Sequence, residues 1–227
     1  MQRVATFGVG VIATLALTGL ASATTVNAVV TADNHYSLYS VGGNGALTLV
    51  GGNELGADGN PGDYNWSVAE PWSFDTNQVF YIGAWSDDFY AQGLLGEFQI
   101  PGGPTLRTGV AGQGWQVFST GIDIDDFAGA YPTAGQVTTQ IGIADAGNLW
   151  RTPVNGGANG VGPWGTIAGI SNQAHWMWAN PDNVPDPFGY PGYNAGEYLI
   201  FRLPIVPTPG TAVLAGAGLL VGLRRKR

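Results

Sequence analysis

Apolar and polar positions alternate along this chain over short spans, and Gly, Pro, Asn or Asp interrupts them every few residues. That is the pattern of strands, because side chains in an extended segment point alternately to opposite faces. Val26–Val30 and Tyr36–Val41 are expected strands separated by Thr31-Ala32-Asp33-Asn34, and Ala46–Val50 follows the turn Gly42-Gly43-Asn44-Gly45. Gln78–Trp85 is nearly continuous in apolar residues, as a strand covered on both faces must be, and is the expected central strand. Leu94–Ile100 divides into Leu95, Glu97 and Gln99 on one face and Gly96, Phe98 and Ile100 on the other. Trp115–Ser119 and Gln136–Ile143 read as further strands, the latter through alternating Val137, Thr139, Ile141 and Ile143, and Glu197–Leu203 closes the set before Pro204. Between the two ends of the chain no segment has the length and charged face of an amphipathic helix. The expected fold is all-β, an antiparallel two-sheet sandwich or jelly roll.

The two ends follow other rules. Met1-Gln2-Arg3 opens with a cation, Val4–Leu20 is apolar, and Ala21-Ser22-Ala23 has the small residues of a cleavage site at Ala21 and Ala23, so residues 1–23 are expected to be a signal peptide with a helical apolar part. The other end carries Val206-Pro207-Thr208-Pro209-Gly210, an uncharged run from Thr211 to Leu223, and Arg224-Arg225-Lys226-Arg227. At 1.5 Å per residue that run spans about 20 Å as a helix, short of a hydrocarbon core of about 30 Å. It suits transient membrane association, with the terminal cations held on the cytoplasmic side. Residues 24–206 then form one β-sandwich domain between the signal peptide and a sorting tail at 207–227.

Removing both ends changes the charge. The chain has 8 cations and 16 acids, but Arg3, Arg224, Arg225, Lys226 and Arg227 lie outside the body. Arg107, Arg151 and Arg202 are then the only three cations against all sixteen acids, a net charge of −13. A field of that sign repels phosphate backbones, so nucleic acid is excluded as a partner. The chain has no cysteine, which removes disulfides, thiolate metal sites and cysteine nucleophiles.

A short Pro motif, a brief hydrophobic helix and a terminal Arg/Lys cluster together resemble the PEP-CTERM sorting signal. Pro207, Thr208, Pro209 and Arg224, Arg225, Lys226 and Arg227 carry the likeness, with Thr208 standing where that family usually has Glu. The resemblance implies recognition by an exosortase-type membrane enzyme and delivery to the cell envelope, the outer surface or the extracellular matrix. In the body, Thr31-Ala32-Asp33-Asn34-His35-Tyr36-Ser37-Leu38-Tyr39, the pairing of Val79–Trp85 with Gly93–Phe98, and Ala174-His175-Trp176-Met177-Trp178 resemble galactose-binding-like jelly-roll modules.

Candidate chemistry is sparse. Asp123, Asp125 and Asp126 place hard oxygen ligands at a spacing that suits a structural calcium ion, although the following Phe127-Ala128-Gly129-Ala130 adds no ligand and a solvated acidic turn is the simpler expectation. Asp58-Gly59-Asn60-Pro61-Gly62-Asp63 has the composition of a turn. Of the eight tryptophans, Trp85 and Trp115 sit in apolar strands as expected core. Trp66 and Trp72 flank Glu70, and Trp150 and Trp164 bracket the Gly-rich stretch Arg151–Pro163. Those four are the candidates for a carbohydrate-binding surface, since an exposed indole stacks on a sugar face while amides and carboxylates take its hydroxyls. Filling the core of a Gly-rich sandwich is the competing role for each of them. His35 and His175 are the only histidines, and no nucleophile elbow, zinc-protease or phosphate-loop motif accompanies them. The expectation is therefore a non-catalytic exported protein of the envelope or matrix with an adhesion or matrix role. The other reading left open is a carbohydrate-binding module for extracellular polysaccharide.

Overall fold

The computed structural model describes residues 23–53, 66–86, 91–124, 131–189 and 197–205. The signal-peptide helix, the tail with Pro207, Thr208, Pro209 and Arg224–Arg227, the Asp58–Asp63 cluster, Asp125 and Asp126 lie outside the described residues.

Eleven strands and one helix follow in order: β1 (Thr24–Asp33), β2 (His35–Val41), β3 (Leu47–Gly52), β4 (Glu70–Thr76), β5 (Val79–Trp85), β6 (Gly93–Gln99), β7 (Thr105–Arg107), β8 (Gln116–Asp123), α1 (Ala134–Gly147), β9 (Val154–Ala158), β10 (His175–Trp178) and β11 (Glu197–Pro204). They form two antiparallel sheets. One has the order β4-β1-β6-β10-β9, with β7 also on β6, and the other has the order β3-β2-β5-β11-β8. Val79–Trp85 is the middle strand of the second sheet and is buried along almost its whole length, as its unbroken apolar run requires.

The sheets share one core. Val26, Ala28, Val30, Phe74, Leu94, Phe98 and Met177 come from the first sheet and meet Leu38, Phe80, Ile82, Val117, Leu199 and Phe201 from the second. At its centre Phe80 stacks on Phe98 at 4.8 Å, and the Trp115 ring lies 5.8 Å from Phe80 and 5.4 Å from Phe98. Offset and edge contacts at these distances are the favoured aromatic geometries.

Each sheet is also covered over part of its outer face. On the second sheet, Tyr39, Tyr81, Phe118, Tyr198 and Ile200 pack under α1 and Trp150. On the first, Leu95 and Trp176 are covered by the segment 159–174 through Trp164, Ile167, Ile170 and Ala174.

The expected strand at Gln136–Ile143 is corrected: those residues lie within α1. A period-2 reading of Val137, Thr139, Ile141 and Ile143 fails because the buried positions are Val137, Gln140 and Ala144, with Ile141 partly buried beside them. That is the spacing of one helical face. The start signal is Thr133, whose hydroxyl accepts from the Gln136 backbone N–H at 3.3 Å while the Gln136 side chain accepts from the Thr133 N–H at 2.8 Å. This reciprocal pair satisfies two otherwise orphaned donors. Asn148 ends the helix in the left-handed region at φ 51°, ψ 47°. Among the described residues no helix is long and apolar enough to cross a membrane.

Candidate functional site

The four tryptophans singled out for a sugar surface are distributed over three clusters. Trp150 and Trp164, expected to carry exposed rings, are 8% and 5% exposed. Trp72 lies on β4 opposite Ala28 and faces the inter-sheet core, and Trp66 is half-buried in the outer cluster that also holds Trp164.

Trp150 is held by charge. The Arg202 guanidinium lies 3.9 Å over its ring, and Arg202 also reaches Asp145 at 2.8 Å and Gln116 at 2.7 Å. The Trp150 Nε1–H donates to the same Asp145 oxygen at 2.7 Å. The last turn of α1 is thereby tied to β8 and β11, and Arg151 adds bonds to the Asn148 and Trp150 carbonyls. Burial pushes the neighbouring Tyr81 hydroxyl above its ordinary pKa, a rise opposed by the Arg202 charge.

Trp72 belongs to a second buried chain. Its Nε1–H donates to the Tyr36 hydroxyl at 2.7 Å, and that hydroxyl donates to the Glu70 carboxylate. Burial first, and the Glu70 charge second, hold the Tyr36 hydroxyl well above its ordinary pKa, so it is a permanent donor. Asn53 extends the network by accepting from the Tyr36 N–H at 2.8 Å.

Trp164 and Trp72 each border a cavity. A pocket of about 510 Å³ opens between Trp164, Phe188, Asp186, Pro163, Gly156 and Ala91. The Trp164 ring stacks on Trp176 at 4.2 Å, meets Phe188 edge-on at 6.2 Å, and donates through Nε1 to the buried Asp33 carboxylate at 2.7 Å. Phe188 lies against β9 because position 156 is glycine; a Cβ there would come within 2.7 Å of its ring. Asp186 accepts from the Phe188 and Gly189 N–H groups at 3.1 and 3.0 Å through Oδ1. Two aromatic rings, one exposed carboxylate and small flanking residues in a volume of this size suit a small polar ligand with an apolar face. Only Trp164 of these wall residues was a candidate from the sequence; Asp186 and Phe188 sit in a Pro- and Asp-rich stretch that carries no local signature.

The remaining expectations fall elsewhere. Asp123 ends β8 exposed to solvent, and among the described residues no three acids and histidines cluster as a metal site. His35 stacks on Trp85 at 5.2 Å in the interior, and His175 Nδ1 shares a 2.7 Å bond with the Asn155 amide, so both rings are engaged in packing the fold. No protein family model, no curated protein and no solved structure matches this chain.

Proposed function

We propose that this chain is an exported, non-catalytic protein of the cell envelope or extracellular matrix, sorted through its C-terminal signal, with an adhesion or matrix role. The observation that carries the reading is where the sandwich begins and ends. Its first strand starts at Thr24, directly after the Ala21-Ser22-Ala23 pattern, and its last ends at Pro204, just before Pro207. The three clusters of buried apolar residues are built from positions 26 to 205. The described core thus lies between the two terminal addresses. The galactose-binding-like jelly-roll reading is supported by one feature: the chain crosses from one sheet to the other at β1–β2, β3–β4, β4–β5, β5–β6, β7–β8, β8–β9 and β10–β11.

Cell fractionation with mass spectrometry of the mature protein tests the proposal. The expected product begins at Thr24, lacks Arg224–Arg227 and is found in the envelope or medium. A mature chain that keeps Arg224–Arg227, or one that stays in the cytoplasm, overturns it.

A second reading, carbohydrate binding, is favoured by the Trp164–Phe188–Asp186 pocket. Titration of tryptophan fluorescence with neutral monosaccharides would give a saturable change in the parent and none in Asp186→Ala. An unresponsive parent removes that reading.

A further inference from the structure

We propose that the outer face of the first sheet holds a second, extended site, a groove that takes a neutral polysaccharide chain laid across β4, β1, β6 and β7. The groove encloses about 510 Å³ and its floor includes Asn27, Val29, Ser73, Glu97, Gln99 and Thr105. Segment 159–174 covers only part of this face: it packs on Leu95 and Val29 and reaches the groove at Gly169. Beyond that border the sheet shows polar side chains.

Register explains how they are brought together. Ser73 lies opposite Asn27, Asn27 opposite Gln99 and Gln99 opposite Thr105, so four strands place four uncharged polar side chains in one row. The row crosses three strand spacings, about 14 Å at about 4.8 Å each. Ser73 donates to Asn27 Oδ1 at 2.9 Å, and Thr105 donates to Gln99 Oε1. The Asn27 amide N–H groups are left as donors without a partner among the described residues, while the Ser73 and Thr105 oxygens keep lone pairs for accepting. Sugar hydroxyls, which donate and accept at once, match such a floor. In the next row Pro71 and Val29 lie side by side and offer an apolar strip for ring C–H faces.

The charges decide which polysaccharide. Glu97 is neutralised inside the groove by Arg107 at 3.2 Å and accepts from the Ser171 N–H at 2.8 Å, so this rim carries no net charge. Asp75 at the edge accepts from Thr25 at 2.6 Å. With a body of net charge −13 around it, the groove repels acidic chains and leaves uncharged ones unopposed.

The proposal stands apart from the export reading, because binding is measured on the isolated full chain whatever its destination in the cell. Native gels cast with soluble galactomannan, xyloglucan or dextran test it, with polygalacturonate as the acidic control. The expected result is retardation in at least one neutral gel and none in the acidic one. Asn27→Val combined with Thr105→Val should weaken retardation about tenfold, the loss of two hydrogen bonds of about 0.7 kcal/mol each, and these strand positions, exposed at Asn27 and half-buried at Thr105, tolerate valine. Asp182→Asn, an exposed position outside both sites, should leave retardation unchanged, while Asp186→Asn reports separately on the Trp164 pocket. The proposal is overturned by an unretarded parent, by an unaffected double variant, by loss of binding in Asp186→Asn instead, or by a shift from dimer to monomer in the double variant, which would make this face a self-interface.

Discussion

Replacing Trp150 separates a structural indole from a sugar platform. Its ring is 8% exposed and packs among Phe118, Tyr81 and the stem of α1, with the Arg202 guanidinium 3.9 Å above it and Asp145 accepting its N–H at 2.7 Å. Burying about 200 Å² of indole at about 25 cal/mol per Å² contributes about 5 kcal/mol. Measured truncations of this kind cost about 3–5 kcal/mol because the site collapses in part. Trp150→Ala is therefore expected to cost about 4 kcal/mol, which lowers Tm by about 8–16 °C for a chain of this size. Trp150→Phe keeps much of the apolar contact and loses the hydrogen bond to Asp145, for about 1.5–2 kcal/mol. Arg202→Met combined with Trp150→Phe should then show a coupling of about 0.5–1 kcal/mol from the lost cation–π contact. Urea unfolding followed by circular dichroism measures all three. A Trp150→Ala protein that melts within about 2 °C of the parent refutes the argument and returns Trp150 to the surface.

Three further outcomes are expected. Thr133→Ala removes one half of the capping box and should cost about 1 kcal/mol, with a loss of helical signal in far-ultraviolet dichroism; no loss would mean that α1 does not start there. Asn159→Ala removes bonds to Ile167 and Ile170 that its buried amide makes at 2.7–2.9 Å, so hydrogen exchange should accelerate first in residues 164–174 while β5 stays protected. The Tyr36, Tyr39 and Tyr198 hydroxyls are all held above their ordinary pKa by burial, so the folded state keeps protons that the unfolded chain releases near pH 10. Stability should be level below about pH 10 and fall as pH rises further. Tyr36→Phe should be less stable at neutral pH and show a shallower alkaline loss in urea titrations from pH 8 to 11.

What the chain reveals on its own depends on how local the cause is. Strands β1, β2, β3, β5, β6, β8 and β11 were legible because one sheet face or both are buried, and period 2 or an unbroken apolar run records that burial directly. β4 was hidden: Glu70, Trp72, Phe74 and Thr76 alternate inward, but a buried Glu and the exposed Pro71 and Asp75 give it the composition of a loop. The pocket and the groove were not legible, because their walls come from residues as distant as Ala91 and Phe188, or Asn27 and Thr105.

The sequence by itself determined the β class, the central strand and the net charge of residues 24–206, each a property of neighbouring residues or of a sum. Tertiary structure decided which tryptophans are buried and whether residues 136–143 coil or extend. An indole's exposure depends on what packs over it: Arg202 lies over Trp150, 52 positions away, and Trp176 of β10 stacks on Trp164. The helix likewise takes its place because the outer face of the second sheet needs covering, and Val137, Gln140 and Ala144 reach it together only at helical spacing.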